Sequence, residues 1–136
     1  SWEGYRMAEQ PVVGALATSL SAELHVPVFV MDVDSSLMGD LVLLVPYSTQ
    51  PYGGTIRAYM EMIQVRVAAS SYPASVDLAT TCYGAILALT SPVDADRRAF
   101  GPITALQPPF LLGYDDQNRV VHIFNIAVPA IERGVE

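Results

Sequence analysis

The chain has 136 residues, of which 51% are hydrophobic and only 15% charged, and its formal net charge is −7. Its seven basic residues are all arginines, Arg6, Arg57, Arg66, Arg97, Arg98, Arg119 and Arg133, and an acidic domain with dispersed arginines is a poor candidate for gripping nucleic-acid phosphates across its surface. No apolar run approaches the roughly 20 residues of a membrane span, and the polar opening SWEGYRMAEQ has no signal-peptide layout.

This length suits one domain, residues 1–136, large enough to bury a core without metals or disulfides. The charged fraction is below the roughly 25% usual in soluble domains. A surface so short of charge points to a partner, first of all further copies of the same chain. Residues 1–10 read as a flexible leader; with Met7 as the start codon, the six residues before it are an alternative start or an appended leader.

The first helix is expected over Pro11–Leu24, where Val12, Val13, Leu16, Leu20 and Leu24 form an apolar stripe and Pro11 suits the first turn. Pro27 then stops it. Val26–Met31 and Leu41–Val45 read as short strands joined by the polar MDVDSSLMGD. PYSTQPYGGT, Pro46–Thr55, reads as a long hairpin tip leading into a central strand.

That strand, Glu61–Val67, alternates Ile63, Val65 and Val67 with Gln64 and Arg66. The period then changes to that of a helix. Val76, Ala79, Tyr83 and Ile86, with Leu78, Cys82, Ala85 and Leu89, make a broad stripe, and Ser70 and Ser71 offer caps ahead of Pro73. Beyond it, Thr90–Gly101 reads as an exposed loop and Ile103–Gln107 as a short strand cut off by Pro108 and Pro109. GYDDQN reads as a turn, and Arg119–Val128 as a strand ending at Pro129. The expected fold class is α+β, a mostly antiparallel sheet with two helices packed on one face.

Motifs for chemistry are few. Asp32-x-Asp34 after an apolar run looks like the first motif of haloacid-dehalogenase-type phosphotransferases, but the chain lacks the lysine that family needs, so both read as loop carboxylates. His25 and His122 are far apart, and no Cys or Glu cluster accompanies either at ligand spacing. No P-loop, GxGxxG or GxSxG occurs, and no cofactor or metal is expected. Cys82, the single cysteine, reads as a buried helix residue.

The order of these signals carries a resemblance. The strand IQVRV, the Ser71-Tyr72 turn, the helix with Leu78-Ala79 and Tyr83, Pro108-Pro109, Leu112-Gly113-Tyr114-Asp115-Asp116, and Arg119 through Phe124-Asn125 are similar to the tail terminator and minor capsid proteins of long-tailed bacteriophages. That family has a strand of the type VQVRVR before its helix and a late lGxDexgR turn opening the last strand. This chain departs from it in having Val67-Ala68-Ala69 after Arg66.

The resemblance implies a ring-forming structural subunit, a homohexamer, that caps the tail tube and joins it to a head-side connector. It implies a place in the virion at the head–tail junction, with DNA only passing through the lumen. Under it, two loops become candidate partner contacts: Tyr47, Gln50, Tyr52 and Arg57 in one, and Asp94, Asp96, Arg97 and Arg98 in the other. One would face the tube or neck, and one the neighbouring subunit. A neck or head-closure role calls for the same kind of ring-forming domain. The residues also leave open a small oligomeric enzyme using Tyr114, Asp115, Asp116 or His122 between subunits, and a small-molecule-binding domain.

Overall fold

The computed structural model describes residues 11–33, 37–51, 58–89, 98–100 and 103–132. Two helices, α1 (Pro11–Leu24) and α2 (Tyr72–Leu87), accompany strands β1 (Val28–Val30), β2 (Leu41–Pro51), β3 (Ala58–Ala69), β4 (Arg98–Phe100), β5 (Thr104–Tyr114) and β6 (Val120–Glu132). The strands form one six-stranded sheet in the order β1-β2-β3-β6, with β4 and β5 both paired to the far side of β6. All pairings are antiparallel except β1 with β2. The fold is α+β, as expected.

The two helices share one face of the sheet. Val13, Leu16 and Leu20 of α1 and Ala79, Cys82 and Ile86 of α2 close over Val42 and Leu44, Ile63, Val65 and Val67, and Phe124, Ile126 and Val128. Alternate residues of three adjacent strands thus supply the floor, and each large side chain fully buried there contributes roughly 1.5–3 kcal/mol. Tyr83 meets Phe124 edge to face with ring centroids 5.2 Å apart, joining α2 to β6.

Local chemistry explains where the helices begin and end. Ser71 caps α2, its Oγ accepting from the N–H of Ala74 at 3.2 Å, and Pro73 occupies the first turn as expected. α1 stops earlier than Pro27, because His25 turns left-handed at φ +59 while its N–H still reaches the carbonyl of Ser21. A non-glycine residue costs about 1 kcal/mol in that conformation. His25→Gly is accordingly expected to raise the unfolding free energy by about 0.5–1 kcal/mol, read as a higher urea midpoint at unchanged slope.

The polar connection from β1 to β2 does not make a hairpin. Met31, at φ +73, sits at the centre of a γ-turn closed by the Asp32 N–H on the Val30 carbonyl at 2.8 Å, so β1 ends after three residues. The chain then returns to the start of β2 and pairs in parallel with it. On the way, Val33 and Leu37 pack with Phe29 and Leu43 onto Leu41, Ala68, Val121 and Ile123, covering one end of the face opposite the helices.

Every strand differs from the sequence reading at its limits: β1 is shorter than Val26–Met31, β3 is longer than Glu61–Val67, and the other four change as follows. β2 continues through Pro46, which had been expected to open a loop, because a bulge between Pro46 and Ser48 absorbs it. Arg98–Phe100, expected as loop, pairs with Glu132, Ile131 and Ala130. β5 runs on through Pro108 and Pro109 with three register shifts, which an outer strand tolerates. β6 runs past Pro129, which lies opposite the gap between β4 and β5. The expected leader 1–10, the hairpin tip 52–57 and the loop 90–97 lie outside the described residues.

Candidate functional site

The first candidate contact region is the far end of the β2–β3 hairpin. Ten residue pairs hold the hairpin together, from Leu41 with Ala68 to Pro51 with Tyr59. β3 has 12 residues and α2 has 16, which correspond to about 40 Å of strand against about 24 Å of helix. α2 leaves the Ala69 end of β3 and runs back over it, so the far end of the hairpin extends past the helix, flanked there by β6 from Ala58 with Ile131 onward. Gln50, opposite Met60, lies at this far end, and Tyr47 lies at the bulge between Pro46 and Ser48; both are exposed, Tyr47 to 53%. Tyr52 and Arg57 fall outside the described residues.

The second region comes to the same end. Arg98 opens β4, whose partners Ala130 and Ile131 on β6 also face Tyr59 and Ala58 of β3. Asp94, Asp96 and Arg97 fall outside the described residues. The described parts of the two expected contact regions therefore share one end of the sheet.

A third feature escaped the sequence reading. Along β5, Leu106, Phe110, Leu111, Leu112 and Tyr114 are exposed, Leu112 to 53% and Tyr114 to 72%, on a strand from Thr104 to Tyr114 that carries no charge. The signal was present in Pro108-Pro109: two prolines in a strand-forming run belong on an edge, and an edge strand whose apolar residues are not all covered by its own domain is a surface. At the opposite edge, a hollow of about 500 Å³ opens between α1 and β1, lined among the described residues by Ala17, Thr18, Ser21, Ala22 and Val28, none of them charged.

The turn from β5 to β6 is built on one ion pair. Asp115 Oδ1 accepts from the N–H groups of Gln117 and Arg119, both at 2.9 Å, and its Oδ2 accepts from Arg119 Nε at 2.8 Å. The Asn118 N–H closes a β-turn on the Asp115 carbonyl, and Asn118 takes the left-handed conformation at φ +62 that suits asparagine. Arg119 Nη1 also donates to the carbonyls of Leu37 and Gly39, at 3.0 Å each. The β1–β2 connection is thereby tied to the hairpin. Burial works to raise the Asp115 pKa, but the hydrogen bonds and charge of Arg119 and the Gln117 N–H outweigh it, and the carboxyl is held below the usual range.

The residues of the enzyme reading are spread among different tasks. His122 is buried on the helix face, where its Nδ1 meets Ser75 Oγ at 2.7 Å and its ring stands edge-on to Tyr72. Asp115 is committed to the turn, and Tyr114 and Asp116 are exposed. Asp32 is exposed, with its Oδ1 taken by the Val33 N–H, and Asp34 lies outside the described residues. Burial pushes the Cys82 thiol up to about 12, so it stays a protonated core side chain. Among the described residues, no three of His, Cys, Asp and Glu gather where a metal ion could bind, and no helix is long and apolar enough to cross a membrane.

Burial also lowers the His122 pKa, since the imidazolium would lose its hydration. A base whose pKa is depressed by folding favours the folded state above its unfolded value. That contribution disappears as pH falls from about 6.5 through the lowered value. Stability is expected to decline over this acid interval, and the paired substitution His122→Leu with Ser75→Ala is expected to flatten the decline without leaving an orphaned hydroxyl. Urea midpoints followed from pH 7 to pH 5 check it.

Comparison with known proteins bears on these surfaces. No curated protein matches the chain. A chain in the solved structure titled "Virion of native gene transfer agent (GTA) particle" has a similar fold, with a TM-score of 0.59 and 15% sequence identity over 92% of this chain and 99% of that one. A family profile described as "Bacteriophage tail terminator protein" matches residues 14–130, from the first helix to the last strand. With its fold, its capped helix and its Asp115–Arg119 turn all inside that match, the chain belongs to the bacteriophage tail terminator family and is a structural protein of the virion tail.

Proposed function

We propose that six copies of this chain close into a ring on the head-proximal end of the tail tube, stop the tube's growth there and present a surface to the head-side connector. The observation that carries this reading is the family match over residues 14–130. The molecule has features that suit the task. A small domain with 15% charged residues and exposed apolar side chains along an edge strand gains stability by burying that edge against further copies. The far end of the β2–β3 hairpin, bearing Gln50 with Tyr47 at its bulge, is suited to reach one axial partner, the tube or the connector, and we assign Tyr52 and Arg57 to the same contact. Arg98 opens β4 at the same end of the sheet, and we assign Asp94, Asp96, Arg97 and Arg98 to that contact as well. An acidic lumen would repel the DNA passing through it, and a net charge of −7 per copy is compatible with one.

The test uses tails assembled with and without the protein. Particles lacking it are expected to carry tubes of uncontrolled length without heads, and adding the purified protein to tube subunits is expected to halt elongation and leave a ring at one tube end in negative-stain images. Tubes that keep growing, with no ring at either end, would overturn the reading.

A further inference from the structure

We infer that each copy in the ring inserts the exposed apolar side chains of its β5 into the hollow between α1 and β1 of the next copy. This rests on the ring reading above and assigns its subunit contact. The two surfaces lie at opposite edges of one sheet, β1 at one end of the strand order and β5 outside β6 at the other. A contact joining opposite edges is head-to-tail, the type that generates a closed ring when the rotation per copy closes. A contact of β5 with β5 would stop at a pair.

Charge and shape point to the same occupant. Copies carrying −7 each repel one another, so they meet most cheaply where neither surface is charged. β5 carries no charge from Thr104 to Tyr114, and the hollow is lined by Ala17, Thr18, Ser21, Ala22 and Val28. The strand presents bulky projections, Leu106, Leu111 and Leu112 among them, each 47–53% exposed, and the hollow is a shallow, open depression of about 500 Å³ whose described lining is mostly of small side chains. Large side chains on one surface and small ones on the other give the packing that an interface core needs.

The contact is made by side chains and not by adding a strand. Pro108 and Pro109 have no N–H to donate, and three register shifts break the regular spacing of the outer edge. An intact ladder to a neighbouring strand is therefore ruled out along the middle of β5. The same features leave the Leu106 and Leu112 side chains free to enter a groove.

The experiment places one charge on each surface: Leu112→Glu on the strand and Ala22→Arg in the hollow. Both positions are exposed, so each variant is expected to keep the wild-type circular dichroism and melting temperature. The molar mass of each is read by light scattering, and ring formation is read on tube subunits by negative stain. Each single variant is expected to fall to the mass of one chain and to leave tube ends bare, while the double variant pairs the charges and recovers rings. In parallel, Leu112→Cys with Ala22→Cys in the otherwise wild-type chain is expected to give a ladder of disulfide-linked multimers on oxidation, since the native Cys82 is buried. Wild-type rings that persist in both single variants, or the absence of a ladder from assembled rings, overturn this interface and leave the ring reading intact. Wild-type protein that forms no ring either alone or on tubes overturns both.

Discussion

Arg119→Ala is expected to lower the unfolding free energy by about 3–4 kcal/mol, among the largest effects of any single substitution outside the apolar core. Arg119 is 8% exposed and makes three side-chain hydrogen bonds, to Asp115 Oδ2 and to the carbonyls of Leu37 and Gly39. Truncation deprives two carbonyls of the β1–β2 connection of their donor and leaves a partly buried carboxylate without its cation. Each such loss costs about 1–3 kcal/mol, and the terms share one guanidinium, so they do not simply add. Lysine is expected to recover little of it, because one ammonium group cannot reach in two directions as the guanidinium fork does.

The pH dependence separates the ion pair from the carbonyl contacts. Folding depresses the Asp115 pKa, so the pair's stabilisation is complete above the ordinary carboxylate range and is lost as pH falls below about 4 through the lowered value. Arg119→Ala removes that acid-side loss along with the stability itself, whereas Asp115→Asn removes the loss but keeps the two carbonyl bonds and is expected to cost only about 1–2 kcal/mol. Urea unfolding of the three proteins at pH 7 and pH 3 distinguishes them. A change below about 1 kcal/mol for Arg119→Ala would show that water replaces the guanidinium at both carbonyls.

The sequence made much of this turn legible and little of the surface. Period and caps sufficed where local chemistry decides structure. Pro11 and a run of apolar residues set the limits of α1, and the change of period after Val67 with Ser71 and Pro73 located the start of α2. Gly113–Asn118 showed a turn, though the reach of Arg119 to Leu37 and Gly39 crosses 82 and 80 residues of chain and has no local signature. Prolines misled the strand limits because a sequence does not say which residues have ladder partners. Pro46 meets a bulge, Pro108 and Pro109 an open edge, and Pro129 a gap, and in each place the missing N–H is not required. The parallel pairing of β1 was hidden for a related reason: it depends on Met31 adopting a positive φ that nothing in its side chain favours. The candidate contacts were chosen as polar and aromatic loop residues, whereas the exposed Leu112 and Tyr114 lie in a strand, where apolar residues read as core.

Phe124→Ala is expected to cost about 3–5 kcal/mol and to reach assembly through the position of α2. Phe124 is fully buried and lies at the centre of the floor, paired across β6 and β3 with Val65, which in turn faces Leu44 of β2. Its removal opens a cavity under α2 at the place where Tyr83 stands edge-on to the ring. Two effects follow, the lost transfer of the ring from water and the void that a six-stranded sheet is too stiff to close. The aromatic contact adds about 0.5–1.5 kcal/mol beyond area, so Tyr83→Leu alone is expected to cost much less than Phe124→Ala, and a double-mutant cycle between them is expected to show coupling near 1 kcal/mol. Phe124→Leu restores most of the volume and is expected to recover more than half of the loss. Because 3–5 kcal/mol is a large part of the 5–15 kcal/mol that holds an ordinary domain together, the alanine variant is expected to populate unfolded chains at growth temperature and to fail in tail assembly, while the leucine variant assembles. If the alanine variant were as stable as wild type and yet failed to assemble, Phe124 would have to act on the ring by some route other than the packing of α2 on β6.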